Sequence, residues 1–321
     1  MTSGCELSPL TEDDVAWSPD PFAHPRYLRA VAHATDRTAV EVRCQGDGWS
    51  VRYPLLLEAF GGSGWLARTP DYGGPVLSGV ATGSAAREAR ARVDSVLRAH
   101  RVISEVTLSS PFSPLAPSLA HAWGLRPSKP VCTWPIPPEQ SRLSHGRRTD
   151  LRRTENAPVT FELLDGPQAA AFAASYGAAM ERVDAAHRWR LDVGYFTALA
   201  QSGLVYRCAV QEAEGGADAL FLVHGRHAAY LFATRWGAST GASSRVLWAA
   251  GEKLSASGVK DILLGGGVTD DDADPLLRFK RSWGGTEQVQ LLGARCFDIP
   301  AQQLAEDAGS ARPLPAWWTA A

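Results

Sequence analysis

The chain has 321 residues, 45% apolar, 21% charged and 9% aromatic, which excludes a disordered chain, a collagen and a small disulfide scaffold and favours two domains. Its formal net charge is -2, so any nucleic-acid contact has to be local rather than spread over the whole surface. The cations include only four lysines, Lys129, Lys253, Lys260 and Lys280; where arginine is the default, each lysine is informative. The five cysteines, Cys5, Cys44, Cys132, Cys208 and Cys296, are odd in number, far apart and form no CxxC, which predicts neither a disulfide framework nor a structural zinc site. Residues 1–17 are acidic and lack an apolar core, and no segment has the roughly 18 apolar residues of a membrane span. The expectation is a cytoplasmic protein with no membrane insertion.

In chain order, Pro19 to Phe22 punctuates the N-terminal segment and His24 to Ala34 reads as a short helix. Thr38 to Arg43 and Trp49 to Leu57 read as strands around Asp47-Gly48, a strong hairpin signal. Ser84 to His100 carries Val93, Val96 and Leu97 at helical spacing. Val102 to Leu108 is a strand, Ser109 to Ser118 an irregular proline-rich stretch and Val131 to Ile136 a further strand. Pro135, Pro137 and Pro138 close a first domain placed at 1–140.

In a second domain, 141–300, Leu143 to Asn156 is a basic helix, Val159 to Leu163 a strand and Pro167 to Ala185 a long helix. Asp192 caps a helix running to Gln201. Strands Leu204 to Gln211, Ala219 to His224 and Ala228 to Thr234 precede a helix from Ser243 to Ala256. Strand Lys260 to Leu264, helix Pro275 to Trp283 and strand Glu287 to Leu292 follow. This order predicts an α/β or α+β domain on one mixed sheet. Residues 301–321 are a Pro/Trp tail.

The chain has no GxxxxGK[ST], HExxH or GxSxG. The Asp270, Asp271, Asp272 and Asp274 run is explained by Asp274 as an N-cap before a first-turn proline, so no metal and no cofactor is expected. Arg43 to Gly48 has the letters of an acyl-CoA pyrophosphate loop, [QR]xxGx[GA], but joins two strands and opens no helix. The strand-to-helix turn at Arg235 to Ala242 lacks that pattern. Arg142, His145, Arg147, Arg148, Arg152 and Arg153 form a local cation cluster, suited to phosphate or to a solvated helix face.

Four segments together resemble the Fem family of aminoacyl-tRNA-dependent peptidyl transferases and the broader GNAT-type group. The most specific is Gly258 to Gly285, with strand Ile262-Leu263-Leu264, the triplet Gly265-Gly266-Gly267, an Asp-rich loop and then Phe279-Lys280-Arg281-Ser282-Trp283-Gly284. The others are Tyr176 to Asp184 with Trp189 and Tyr195 to Leu199, the basic helix, and Tyr72-Gly73-Gly74-Pro75. The resemblance implies two tandem GNAT-like domains, each a mixed twisted β-sheet flanked by helices, with a substrate cleft between them. It implies transfer of an amino acid from aminoacyl-tRNA to the amine of a peptide or peptidyl-nucleoside acceptor. The chain has no room for the helical hairpin that some cell-wall members insert, and Pro21 to Arg37 holds no lysine for a nucleotide-linked precursor. The missing lysine tilts the expectation towards antibiotic or other specialised metabolism.

On this resemblance Lys280 stabilises the oxyanion, Phe279 shapes the acyl pocket and Asp71 is the candidate base. Tyr72, Arg182, Trp189, Arg190, Arg235 and Trp236 are candidates for holding the acceptor. Arg147, Arg148, Arg152 and Arg153 are candidates for tRNA phosphates. An acyl-CoA-dependent N-acyltransferase and a non-catalytic GNAT-like binding protein are the alternatives.

Overall fold

The computed structural model describes residues 4–11, 17–79, 82–113, 115–238, 241–269, 271–311 and 319–320. It divides into two compact units, Met1–Ser128 with Gln290–Ala321, and Lys129–Val289. Among the described residues no helix is long and apolar enough to cross a membrane.

In the first unit, β1 (Cys5–Pro9), α1 (Pro25–Ala34), β2 (Thr38–Gly46), β3 (Trp49–Phe60), β4 (Gly64–Arg68), β5 (Val76–Ser78), α2 (Gly83–Ala99), β6 (Val102–Leu108) and α3 (Pro117–Ala122) follow one another. The sheet order is β1-β2-β3-β4-β6. Its pairs are antiparallel except β4 with β6. The Asp47-Gly48 turn forms as expected, with Gly48 at φ +72°, where a side chain would be strained. Ala86, Ala89, Val93 and Leu97 form one buried stripe of α2 and pack with Val40, Val42, Leu55 and Leu57 of the sheet.

Beneath α2 lies a buried charge network. Arg90 grips Glu105 through both guanidinium ends, and Glu105 also accepts hydrogen bonds from Tyr53 and Thr107. Arg90 and Arg295 share Asp94, at 2.8 Å (Nε) and 3.1 Å (Nη1). A cavity of about 150 Å³ adjoins the network, lined in part by Arg90, Glu105, Trp123 and Arg295.

The second unit takes β7 (Arg126–Pro135) from Lys129 onward, then α4 (His145–Arg153), β8 (Val159–Leu163), α5 (Gly166–Arg182) and α6 (Val193–Gln201). The meander β9 (Val205–Glu212), β10 (Gly215–His224) and β11 (His227–Gly237) leads into α7 (Ala242–Ala256), β12 (Asp261–Gly265) and α8 (Pro275–Arg281). The sheet order is β7-β12-β11-β10-β9-β8, with β11 and β12 its parallel pair. The core lies between the sheet and α7, where Phe221, Ala228 and Ile262 meet Val246, Leu247 and Leu254. Finally, β13 (Thr286–Cys296) carries the chain back into the first unit, where Leu292 to Cys296 pair with β6, and α9 (Ile299–Asp307) follows.

Two expectations are refined. The cysteine spacing predicts no disulfide framework, and one pair adds to that reading: Cys5 stands opposite Cys44 in the β1–β2 register with Cα atoms 4.1 Å apart and the sulfurs joined. Strand pairing brings together what the sequence holds far apart. Residues 301–307, read as the start of a tail, instead continue α9, which Asp298 caps and whose first turn holds Pro300, where proline's missing N–H costs nothing. The Pro313, Pro315, Trp317 and Trp318 segment lies outside the described residues.

Candidate functional site

The site is built at the end of β12. Strands β11 and β12 pair at only three register positions, His227 with Asp261, Ala228 with Ile262 and Ala229 with Leu263. Beyond Ala229, β11 stays with β10 as far as Gly237, so the two parallel strands splay. β12 ends in the glycine triplet for steric reasons. Gly265 sits at φ +77°, and a Cβ on Gly266 would meet the Pro130 carbonyl oxygen at 2.6 Å.

The loop after the triplet is fixed by Asp274. One carboxylate oxygen accepts from the Val268 and Thr269 N–H groups and the Thr269 hydroxyl; the other accepts from the Leu276 and Leu277 N–H groups at the start of α8. Burial pushes the Asp274 carboxyl up, but these donors outweigh it and hold the group at about 2. N-cap and first-turn proline therefore act as the sequence predicts. Asp274→Ala is expected to lower stability by about 1–3 kcal/mol in urea unfolding. The carboxylate's contribution is present above about pH 4 and lost as the pH falls towards 2, so the gap to wild type should close over that range.

This loop and cap deliver Lys280. Its Nζ donates to the Gly266 carbonyl at 2.6 Å and its side chain is buried, with the residue 8% exposed. Burial, reinforced by Lys129, pushes the ammonium down to about 8, against the opposing effects of Cys132 and Asp274. A buried ammonium costs free energy unless something pairs with it. Next to it, Phe279 is half-buried, packing against Trp283 at 6.3 Å between centroids and lying 5.0 Å from the Arg147 guanidinium. Trp283 is fully buried against Trp134, so the aromatic part of the motif anchors α8 in the core.

The other candidates separate into groups. Asp71 and Tyr72 lie in the first unit and Lys280 and Phe279 in the second. Asp71 adopts φ +33° and accepts a hydrogen bond from the buried Tyr27 hydroxyl; Tyr72 packs 5.6 Å from Phe22. Arg182, Arg235 and Trp236 come together where α5 ends beside β11. Arg182 donates to the Arg235 carbonyl at 2.9 Å, and the Trp236 ring lies where a Cβ on Gly216 would meet it at 2.6 Å. Arg190 instead braces its own loop through Ala185 and Asp184, near the exposed Trp189.

The basic helix α4 does two jobs. Arg147 is committed inward, donating to Ser244 at 2.6 Å and pairing with Asp150 at 3.0 Å. Arg148 donates to the Leu143 carbonyl at 2.5 Å, while Arg152 and Arg153 are exposed. The end of α4 covers the start of α7, where a Cβ on Gly241 would meet Thr154 at 2.5 Å and the Asp150 carbonyl at 3.0 Å.

The residue that sequence reasoning missed is Lys129, whose side-chain Cδ and Cε reach to 3.5 Å from the Cβ position of Gly266. Its rarity as a lysine was the available signal. Among the described residues no group of three His, Cys, Asp or Glu side chains is placed to hold a metal ion; Asp270 lies outside those residues.

No family model and no curated protein matches the sequence, whereas solved structures match the fold. FemX superposes with a TM-score of 0.63 at 14% identity, covering 86% of this chain and 93% of that one. L-PGS from Bacillus licheniformis gives 0.54 at 12% identity, covering 89% and 93%. A conserved protein of unknown function from Bacteroides thetaiotaomicron gives 0.55 at 7% identity, covering 87% and 91%. The likeness is one of fold, a mixed sheet flanked by helices.

Proposed function

We propose that the protein is an acyltransferase of two tandem GNAT-like domains that moves an amino acid from aminoacyl-tRNA to the amine of a peptide or peptidyl-nucleoside. The amine nitrogen attacks the ester carbonyl carbon, the C–N bond forms, and the C–O bond to the ribose breaks. The proton lost from the amine ends on the ribose oxygen. An aminoacyl ester is already activated, so the protein's task is to orient the partners and stabilise the oxyanion.

The observation that carries this reading is Lys280, a buried cation at the splayed end of β12 with a carbonyl oxygen as its hydrogen-bond partner. A backbone carbonyl only partly offsets its charge, and a developing oxyanion completes it. The fold shared with FemX agrees with the resemblance of the Gly258 to Gly285 segment to Fem-type transferases, and that resemblance is what suggests aminoacyl transfer. The turn into α7 lacks the acyl-CoA pyrophosphate pattern, and α4 packs against Gly241 at its N-cap, which weighs against CoA as the donor.

Thermal unfolding with charged tRNA, uncharged tRNA and acetyl-CoA tests the donor. A ligand that binds only the native state adds about 2.7 kcal/mol at a hundredfold excess over its Kd. Charged tRNA is expected to raise the midpoint and acetyl-CoA to leave it in place; the reverse moves the donor to CoA. Glutamate at Arg152 and Arg153 is expected to weaken tRNA binding and flatten its salt dependence by about one counterion per arginine. Unchanged affinity and slope would remove α4 from the tRNA surface.

A further inference from the structure

Two of the four lysines in the chain converge on one glycine. Lys280 donates to the Gly266 carbonyl, and the Lys129 chain lies against the Gly266 Cα, with Cδ and Cε 3.5 Å from the position a Cβ would take. The close approach of Pro130 to the same position keeps residue 266 a glycine, which leaves room for the Lys129 chain. Among the described residues neither lysine has a carboxylate within ion-pair distance. The nearby acid, Asp274, is occupied by five backbone and hydroxyl donors. Two ammonium groups side by side repel each other, and the remedy is an anion from outside the chain.

We propose that Lys129 seats a phosphate of the nucleotide-linked donor beside Lys280, so that one lysine holds the nucleotide while its neighbour faces the ester carbonyl. The donor's identity rests on the function proposed above; the phosphate seat does not. Lys129 is half-buried, with a long flexible stem and a strongly hydrated point charge, the form in which lysine binds phosphate. The groups acting on Lys280 are Lys129, Cys132 and Asp274, and of these only Lys129 repels its proton while being open to an external anion.

The test reads binding rather than turnover. The lysines are dimethylated with ¹³C-formaldehyde, which keeps their charge, and each is titrated by NMR; Lys280→Arg assigns its resonance. Lys129→Gln is expected to move the Lys280 midpoint upward by at least about half a pH unit, because the repelling charge is gone. Saturating adenosine 5′-monophosphate is expected to raise the wild-type Lys280 midpoint similarly, to do so in Lys129→Arg, and to have no effect in Lys129→Gln. An unmoved Lys280 in Lys129→Gln, or an equal nucleotide effect with and without the lysine, overturns the proposal. The trinucleotide CCA and coenzyme A are then compared as phosphate sources. A response to CCA alone supports both seat and tRNA donor; a response to coenzyme A alone supports the seat and overturns the tRNA reading. No response to any of the three phosphate compounds overturns the seat.

Discussion

Lys280→Met is expected to lower the rate of aminoacyl transfer by about 10²–10³, the loss typical of one oxyanion donor, without lowering the stability of the fold. The two halves of this result have one cause. An ammonium held at about 8 instead of its usual 10.5 marks a charged form disfavoured in the native state by roughly 3 kcal/mol at neutral pH. A methionine of similar shape removes that cost and gives up one hydrogen bond to Gly266, so the unfolding midpoint should hold or rise.

The pH dependence follows from the sign of the shift. The native state binds fewer protons at this position than the unfolded state between pH 8 and 10.5, so wild-type stability gains there and the advantage of the variant shrinks. Activity that depends on the cation falls as the pH rises through about 8. Full turnover in Lys280→Met, with the fold intact, would remove Lys280 from the chemistry.

How much of this was legible in the sequence depended on the range of the interactions involved. Asp192 and Asp274 cap their helices as their positions before helical segments predict, because a cap is decided within a few residues. The hairpin at Asp47-Gly48 and the stripe on α2 are local for the same reason. Strands β1, β4 and β5 escaped notice: all are short, β1 and β5 pair with residues distant in the chain (Cys5 with Cys44, Ser78 with Ser50), and β4 closes a hairpin onto β3 while its other edge pairs with the distant β6. Helix α3 has six residues and no side-chain cap, and Pro117 in its first turn is its one local signal.

The site divides along the same line. Lys280 and its loop belong to one continuous segment and could be found from it. Lys129 reaches that segment only through the pairing of β7 with β12, which sets Cys132 opposite Gly265, and no spacing rule connects the two. Arg147 shows the converse. In the sequence it is one more cation of a phosphate-binding run, yet Asp150, Ser244 and Phe279 use it inside the fold.

The largest stability loss is expected in the first unit, where Glu105→Ala should cost about 3–5 kcal/mol, the range for breaking one side of a buried ion pair. For a unit of this size that is a fall of roughly 6–20 °C in the unfolding midpoint. Glu105 is 1% exposed and Arg90 2%, so removing the carboxylate strands Arg90 without water to replace it. Asp94 offers only part of a remedy, since Arg295 already draws on it.

The pair need not stabilise the fold relative to apolar residues, because both charges were desolvated to make it. Arg90→Met combined with Glu105→Leu should therefore recover much of what either single change loses, and the double-mutant cycle should show a strong coupling. Acid should act on the same group. Burial pushes the Glu105 carboxyl up, but the Arg90 charge and the hydrogen bonds from Arg90, Thr107 and Tyr53 outweigh it and hold the group below its usual 4.5. Its contribution is therefore present above about pH 4.5 and lost as the pH falls further. Glu58→Ala, at the half-exposed Arg37 pair, is the control and should cost no more than about 1 kcal/mol. If Glu105→Ala cost as little as Glu58→Ala, the network would be an ornament of the fold rather than its support.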